Sequence, residues 1–293
     1  TTEIYTLSLH DALPILITGS DYNVQLWSLA TGECWRSWQS QRHSVTALAL
    51  TAETQILSLH QDQTLRYWRP ASAGRWRPQR RLRLGASTVS ALAVGGSGHY
   101  WVTGDDQGRI QLCNPHGHDA FREPLKLPGA ITALALDNPE TWLAAADSVG
   151  TLALWHLPSQ ICQWQHQGEG EPLTTLVFSP EGDRLFGGSR DRTIQSWTLE
   201  GEPIAQLTGH LRQVHCLWPL PKGQQLLSGS KYGTVCLWDL DRQEIQHRWQ
   251  PLDRLIYGVT ADLQGNPLAI AGSAQTLEDR KSTRLNSSHR CIS

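Results

Sequence analysis

Apolar and polar residues alternate in a short pattern that recurs along the chain. In Leu226–Leu240 (LLSGSKYGTVCLWDL), two apolar stretches flank a turn rich in Ser and Gly, and the second stretch alternates at period two. This pattern is typical of a β-hairpin. The same pattern recurs at Gly19–Trp27, His60–Trp68, Asp105–Cys113, Asp147–Trp155 and Ser189–Trp197.

The recurring hairpins end on one anchor position, and the anchors are evenly spaced. They are Trp27, Trp68, Cys113, Trp155, Trp197 and Trp238. Their separations are 41, 45, 42, 42 and 41 residues. A fixed period of this length indicates a repeat architecture, and its all-strand content favours a β-propeller.

Each period contains four strand signals, shown in order by the repeat around Trp68. They are Val45–Leu50, Gln55–Leu59, Thr64–Arg69 and Arg75–Leu84. Further apolar inner strands are expected at Val89–Val94, Ile131–Leu136, Leu173–Phe178, Val214–Trp218 and Leu255–Thr260. The sequence therefore predicts an all-β fold, a β-propeller of four-stranded antiparallel blades, with about six blades in this chain.

One repeat carries the residues of a known family. Thr208-Gly209-His210 opens this repeat and Leu237-Trp238-Asp239-Leu240 closes it. With five anchor tryptophans in phase with the turns, the chain resembles the WD-repeat (Trp-Asp repeat) β-propeller family from Leu16 to about Thr276. The resemblance implies a parent propeller of seven blades or more.

The two ends of the chain resemble translated sequencing adapters. This likeness covers Thr1–Ile15 and Asp279–His289, and the chain contains no Met. Non-native segments are set aside before a fold is inferred. We expect residues 1–15 and 279–293 to be non-native tails, and residues 16–278 to be a propeller truncated at both ends and part of a larger multidomain chain.

The family resemblance also implies a buried hydrogen-bonded set within a repeat. By position, one repeat supplies all four members: His43, Ser58, Asp62 and Trp68. In other repeats, Gln107, Val149 and Tyr232 stand where the Asp belongs. Ser, His and Asp together suggest a catalytic triad, but the Trp partner and the repeat position favour a structural tetrad.

Composition and charge narrow the functional classes. The 293-residue chain has a formal net charge of −2, so its overall charge favours no particular partner. The cysteines form no CxxC pair and most lie in apolar strands, which favours buried thiols and a cytoplasmic protein. No apolar run is long enough to span a membrane, so no membrane partner is expected. We also expect no catalytic residue, cofactor or metal site.

A cluster of arginines suggests an alternative function. Arg66–Arg83 contains seven arginines, interleaved with Trp68 and Trp76. Basic residues combined with aromatic ones bind phosphates and stack on bases, so RNA or another polyanion is the alternative partner. A solvated outer strand also accounts for the cluster, and we favour that interpretation.

The leading interpretation is a non-enzymatic scaffold that binds a peptide or a protein domain. In the family that the chain resembles, partners bind the face formed by the turns between second and third strands and the loops leading into inner strands. The residues expected on this face are Tyr22, Gln61, Asp106, Arg190, Arg212, Tyr232 and Arg254. A propeller enzyme is the weaker alternative, because the inner strands carry Thr, Ala, Leu and Val rather than converging acids.

Overall fold

A computed structural model describes most of the chain. The described residues are 4–7, 15–19, 23–28, 34–39, 44–50, 56–71, 75–83, 87–95, 100–113, 125–168, 170–221, 223–230, 233–249, 256–261, 267–271, 276–279 and 284–286.

The described residues form seven four-stranded antiparallel sheets, which we call blades 1 to 7. Blade 1 contains β1 (Ile4–Leu7), β2 (Ile15–Gly19), β3 (Asn23–Ser28) and β4 (Cys34–Gln39). Blade 2 contains β5 (Val45–Leu50), β6 (Ile56–His60), β7 (Thr64–Ala71) and β8 (Arg75–Arg83). Blade 3 contains β9 (Val89–Val94), β10 (Trp101–Asp105), β11 (Arg109–Cys113) and β12 (Leu125–Lys126).

Blades 4 to 7 repeat the same strand order. Blade 4 contains β13 (Ile131–Leu136), β14 (Trp142–Asp147), β15 (Thr151–His156) and β16 (Ile161–Gln167). Blade 5 contains β17 (Leu173–Phe178), β18 (Arg184–Ser189), β19 (Ile194–Thr198) and β20 (Pro203–Leu207). Blade 6 contains β21 (Val214–Pro219), β22 (Gln225–Ser230), β23 (Val235–Asp239) and β24 (Glu244–Trp249). Blade 7 contains β25 (Ile256–Ala261), β26 (Pro267–Ala271), β27 (Thr276–Asp279) and β28 (Arg284–Asn286).

The blades form a ring. The first strand of each blade lies against the first strand of the next, and β25 lies against β1 to close the circle. The predicted fold class, an all-β propeller of four-stranded antiparallel blades, is confirmed. The structure has seven sheets where about six blades were predicted, because both terminal segments contribute strands. Blades 2 to 6 lie wholly within residues 16–278, whereas β1 and β28 fall in the predicted tails.

The hydrophobic core lies between neighbouring blades rather than within a single sheet. One cluster joins Val102 and Ile110 of blade 3 to Leu143 and Trp155 of blade 4. Similar clusters fill the five other described junctions from blade 1 to blade 7. The second strands of blades 2 to 6 are covered on both faces, and each is therefore a nearly continuous run of buried residues, as in Ile56–His60.

The anchor tryptophans pack into these junctions, and blade 3 uses a different residue. Trp68, Trp155, Trp197 and Trp238 each fill the junction with the preceding blade. In blade 3, where Cys113 holds the anchor position, Trp101 lies directly across the β10–β11 ladder from it. Its ring meets Tyr67 of blade 2 edge-on, with the ring centroids 6.4 Å apart. Trp101 therefore supplies the bulk that the anchor position lacks.

Tryptophans on the outer strands extend the same packing. Trp38 of blade 1 lies 5.8 Å from Trp68 of blade 2, measured between ring centroids. Trp164 of blade 4 donates its indole N–H to the carbonyl oxygen of Leu199 in blade 5, at 2.8 Å. Each contact joins two blades, so these side chains help to hold the ring together.

The cysteines differ from the buried thiols that the sequence predicts. Cys113 and Cys236 are buried, and Cys216 is half-buried. Cys162 is exposed on β16, and Cys34 is bonded in a disulfide. The prediction is therefore wrong for these last two residues.

The turn between the second and third strands needs a left-handed residue at one fixed position. Five residues before the anchor, φ is positive in all five described turns, at Gln63, Gly108, Gly150, Arg192 and Gly233. Glycine adopts this conformation without strain, whereas a residue with a Cβ does not. At Arg192, φ is 78°, so this arginine strains the turn of blade 5.

Replacing Arg192 with Gly should stabilise the protein. We expect the free energy of unfolding to rise by about 0.5 kcal/mol, because relief of the strain exceeds the extra entropy of glycine in the unfolded chain. Gly150→Ala is the matched control and should lower it by about 1 kcal/mol. Urea unfolding followed by tryptophan fluorescence measures both changes. A destabilised Arg192→Gly protein would show that this arginine contributes contacts worth more than its strain.

Candidate functional site

One face of the ring is formed by the turns between second and third strands together with the loops leading into the inner strands. We call it the turn face. The first residue of each turn donates its backbone N–H to a carbonyl oxygen just ahead of its blade's inner strand. The pairs are Gln61 to Ser44 at 2.9 Å, Asp106 to Thr88 at 2.9 Å, Ser148 to Ala130 at 2.8 Å and Arg190 to Pro172 at 3.3 Å. Turn and loop are therefore one surface in four successive blades.

The structure places four of the predicted partner-binding residues on this face. Gln61, Asp106 and Arg190 are exposed in turns, and Arg212 is exposed in the loop before β21. The other three, Tyr22, Tyr232 and Arg254, lie outside the described residues.

Adjacent blades are also joined across the turn face. Gln63 in the turn of blade 2 accepts the backbone N–H of Val89 in blade 3 on its side-chain oxygen, at 2.7 Å. This bond fixes one turn relative to the neighbouring inner strand. The face is therefore positioned by the ring and does not depend on loops alone.

In blades 2 and 5, an Asp closes the turn from a position six residues before the anchor. Asp191 Oδ1 accepts the backbone N–H and the hydroxyl of Thr193, at 2.8 and 2.6 Å. Asp62 Oδ1 accepts the same two groups of Thr64, at 3.2 and 2.5 Å. The carboxylate thereby satisfies turn donors that the backbone leaves unpaired.

In blades 3 and 4, the acid stands two residues earlier, which sequence reasoning missed. Asp147 is fully buried at the end of β14. Its Oδ1 accepts the backbone N–H groups of Val149 and Thr151, at 3.0 and 2.7 Å. Its Oδ2 accepts that of Gly129, in the loop before β13, at 2.9 Å. This single carboxylate joins the turn to the loop.

Asp105 has the same role in blade 3. It accepts the backbone N–H groups of Gln107 and Arg109, and its Oδ2 accepts the Ser87 hydroxyl. The Arg109 guanidinium forms an ion pair with it at 2.8 Å. Burial by itself would raise the pKa of Asp105, but the hydrogen bonds from Ser87, Arg109 and Gln107 hold this pKa below its usual value. Asp105 is therefore an ionised structural residue.

The predicted tetrad contains a buried hydrogen-bonded pair. The indole N–H of Trp68 donates to Ser58 Oγ at 2.8 Å, and Ser58 is fully buried. His60 Nε2 also lies 2.8 Å from Ser58 Oγ, a contact that the sequence did not predict. His43 lies outside the described residues. Because Ser58 is enclosed, no substrate can reach its hydroxyl.

Blade 6 contains the corresponding set in a different form. Ser228 Oγ accepts the indole N–H of Trp238 at 2.7 Å and lies 2.6 Å from His210 Nε2. On the other side of the imidazole, Cys236 Sγ lies 3.9 Å from His210 Nδ1. Burial, and secondarily the positive charge of Arg248, lower the pKa of His210 to about 4. The imidazole is therefore neutral at physiological pH.

The closing Trp-Asp dipeptide is explained by the turn that follows it. Asp239 Oδ1 accepts the backbone N–H groups of Asp241 and Arg242, each at 3.0 Å. Asp239 Oδ2 accepts a hydrogen from the side-chain amide of Gln246 at 3.0 Å. The backbone N–H of Arg242 and the Gln246 amide lower the pKa of this carboxyl. Asp239 is thus a turn cap between β23 and β24.

Two large apolar side chains are exposed on the turn face. Leu211, in the loop before β21, is 67% exposed, and Val149, in the turn of blade 4, is 53% exposed. Gly188, two residues before Arg190, packs against Val214, three residues after Leu211. The loop that carries Leu211 therefore lies beside the turn that carries Arg190. Arg212 and Arg192 are exposed in the same two segments. The junction of blades 5 and 6 therefore combines an apolar side chain with three cations.

Metal binding, membrane spanning and the basic surface can be examined among the described residues. Among them, no group of three or more His, Cys, Asp or Glu side chains is placed to hold a metal ion. Nor does this part of the chain contain a helix long and apolar enough to cross a membrane. Arg66, included in the predicted basic surface, is only 3% exposed, so the inclusion of this residue is wrong. The side chains of the remaining cluster arginines lie outside the described residues.

Comparison with known proteins identifies the repeat. Residues 160–198 and 201–239 match the WD40 family (WD domain, G-beta repeat). These segments run from the outer strand of one blade through three strands of the next. They therefore cover the third strands and turns of blades 5 and 6.

Similar proteins match different lengths of the chain. Protein groucho of Drosophila melanogaster is 31% identical over 106 residues, which cover 36% of this chain and 14% of groucho. Lissencephaly-1 homolog of Caenorhabditis briggsae is 32% identical over 102 residues, covering 33% of this chain and 26% of that protein. WD repeat-containing protein 55 of Bos taurus is 22% identical over 262 residues, covering 85% and 68% respectively. The chain thus spans only a minor part of the first two relatives. Two segments of the chain thus match the WD40 repeat, and its described residues form the closed ring of blades of a β-propeller.

Proposed function

We propose that this propeller is a non-enzymatic scaffold that binds a peptide or protein domain on its turn face. The observation that carries the proposal is Leu211, which is 67% exposed at the junction of blades 5 and 6. Most large apolar side chains in the described residues are buried, so one exposed to this degree on a rigid face is a candidate interface anchor.

The charges around Leu211 indicate how a partner is oriented. Arg190 and Arg212 are exposed beside it, and Arg is among the residues enriched at interfaces. A guanidinium group binds a carboxylate through two parallel hydrogen bonds, which fixes direction as well as position. We expect partners to present an apolar side chain next to an acidic one.

The rigidity of the face favours binding by a preformed surface. Its turns are held by carboxylates such as Asp147 and Asp191 and are bonded to the loops beside them. A surface that is ordered before binding loses less conformational entropy when a partner docks. Catalysis is not part of the proposal, since the hydroxyl of Ser58 is enclosed and serves the fold.

A peptide-display selection on the full chain tests the proposal. We expect selected peptides to bind Leu211→Ser and Arg190→Glu variants at least about tenfold more weakly, as measured by fluorescence anisotropy. Ile204→Ser and Arg242→Glu are the matched controls, since both residues are exposed away from the turn face, on β20 and in the turn before β24. Unchanged affinity in the turn-face variants, or a selection that yields no binder, would reject this site.

A further inference from the structure

Three arginines occupy equivalent positions at one junction of the turn face. These positions are the first residue of the turn, the left-handed residue of the turn, and the residue two before the next blade's inner strand. From blade 2 to blade 5 they hold Gln61, Gln63 and Ser87; Asp106, Gly108 and Gly129; Ser148, Gly150 and Glu171; and Arg190, Arg192 and Arg212. All three positions are arginine at the junction of blades 5 and 6, and none is arginine at the other three of these junctions.

The repeat geometry places these positions side by side. In blade 2, the side chain of Gln63 accepts the backbone N–H of Val89, the first residue of the next inner strand, at 2.7 Å. Arg192 and Val214 hold the same two positions in blades 5 and 6. Arg192 therefore lies beside the loop that carries Arg212, and the first arginine of the set shares its turn.

The acid in this turn is engaged elsewhere. Asp191 Oδ1 accepts two groups of Thr193, and its Oδ2 lies beside Gly170, in the loop between β16 and β17. Among the described residues, no carboxylate forms an ion pair with Arg190 or Arg192. Guanidinium groups held near one another repel, and an anion that contacts all of them removes this repulsion.

Arginine is an unfavourable residue at the left-handed position of the turn. At Arg192 φ is 78°, whereas three of the five described turns have glycine there. The Nε–H of Arg192 donates to the carbonyl oxygen of the adjacent Asp191 at 3.3 Å. Backbone strain of this kind clusters at binding sites, where the strained residue is part of the site. The strained arginine is a second indication that this junction binds a ligand.

We infer that the junction of blades 5 and 6 binds a phosphorylated serine or threonine of a partner segment, with Leu211 contacting an apolar residue of the same segment. A phosphomonoester carries a charge of about −1.5 to −2 at pH 7 and has three acceptor oxygens, which several guanidinium groups can share. A carboxylate carries a single charge and is satisfied by one arginine. This inference rests on the proposed turn-face function and adds the chemistry of the partner.

The surrounding surface favours a single phosphorylated residue over a nucleic-acid backbone. Asp106 and Glu171 are exposed at two of the equivalent positions on other junctions, where a chain of phosphates would meet negative charge. Leu211, exposed beside the arginines, offers an apolar contact. Nucleic-acid sites extend as basic stripes along which successive phosphates bind. The set of three arginines is confined to one junction.

Matched short peptides test the inference on the full chain. Each peptide of an array carries a phosphoserine near an apolar residue, and its two counterparts carry serine or glutamate at that position. By fluorescence anisotropy, we expect the phosphorylated binders to bind about tenfold to thirtyfold more tightly than their serine counterparts. The glutamate peptides should fall between the two. The gain should shrink as the salt concentration rises, because these charges are exposed to solvent.

Variants assign the gain to the arginines. Arg190→Gln and Arg212→Gln should each reduce the ratio of phosphorylated to unphosphorylated affinity at least about threefold. Arg192→Gly should do the same in a chain that is no less stable. Arg242→Gln, exposed in the turn before β24, is the matched control and should leave the ratio unchanged. Leu211→Ser should weaken both peptides alike. Because the ratio compares two peptides on one variant, poor folding of a variant does not mimic the result.

The two proposals fail in different ways. Peptides that bind through Leu211 with no gain from the phosphate would overturn this inference and leave the turn-face function in place. Absence of binding by every peptide would overturn both. A gain that persists in all three arginine variants would also overturn the inference. So would displacement of the phosphopeptide by an equal concentration of inorganic phosphate, or a uridine homopolymer that binds more tightly than every phosphopeptide.

Discussion

Replacing Asp147 with Ala should lower the free energy of unfolding by about 3 kcal/mol, because three backbone donors lose their acceptor in a buried site. These donors are the N–H groups of Gly129, Val149 and Thr151. No other single side chain in blade 4 joins the turn to the loop in this way. Urea unfolding followed by tryptophan fluorescence measures the loss.

A control and a rescue sharpen this experiment. Asp106→Ala removes an exposed acid from the neighbouring blade's turn and should change stability by less than about 0.5 kcal/mol. In the Asp147→Ala background, Val149→Asp places a carboxylate where blades 2 and 5 carry theirs, and Thr151 is present to donate to it. We expect this second change to recover about 1 kcal/mol. If Asp147→Ala were as mild as Asp106→Ala, the bridging role would be rejected.

The second large effect is a dependence of stability on pH that originates at His210. The pKa of His210 is about 4 in the folded protein and about 6.5 in an unfolded chain. Because the pKa of His210 is lower in the folded protein than in the unfolded chain, its neutral imidazole contributes fully to the free energy of unfolding above about pH 6.5. This contribution is lost as the pH falls towards 4. The difference between the two pKa values corresponds to about 3 kcal/mol.

Comparison with His210→Gln isolates this contribution. At pH 7 the variant should be less stable, because it loses the bond to Ser228 and the packing against Trp238. The gap should narrow by about 2 to 3 kcal/mol between pH 7 and pH 4.5, since only the original chain must protonate a buried imidazole. His247→Gln, at an exposed position on β24, is the control. A gap that stays constant with pH would show that His210 does not titrate with folding.

The strands were predictable because the alternation of apolar and polar residues indicates which side chains are buried. Val45–Leu50 and Ile131–Leu136 were expected as inner strands and are found with the same bounds, as β5 and β13. Each inner strand packs against a neighbouring blade, so apolar residues alternate along it, and this alternation is visible in the sequence. Bounds that depend on a turn are less regular, as at Ile256–Ala261, which was expected one residue earlier.

The acids that close the turns were only partly predictable, because a carboxylate can accept the turn's backbone N–H groups from either of two positions. Asp62 and Asp191 stand where the family pattern expects them, but Asp105 and Asp147 stand two residues earlier. In a tight turn, both positions lie within reach of the same backbone donors. Six residues before the anchor, the sequence has Gln107 in blade 3 and Val149 in blade 4, so both blades lack an acid at the expected position. The structure shows that Asp105 and Asp147, two residues earlier, take its place.

Trp101 could not be found from spacing at all. It contributes to the core from the second strand of blade 3, opposite Cys113 on the third. Only the register between the two strands reveals that the tryptophan and the anchor position occupy the same layer of the core. By sequence, blade 3 lacks the anchor tryptophan, but Trp101 across the ladder fills the junction.

The shifted acid in blade 4 separates the residue that holds the turn, Asp147, from the residue that the turn exposes, Val149. Where the closing carboxylate stands in the turn itself, that position cannot change without loosening the blade. In blade 4 the carboxylate of Asp147 lies at the end of the second strand instead. The side chain at the turn position, here Val149, then has no structural role. We therefore expect substitutions at Val149 to change this part of the turn face while the ring beneath it stays intact.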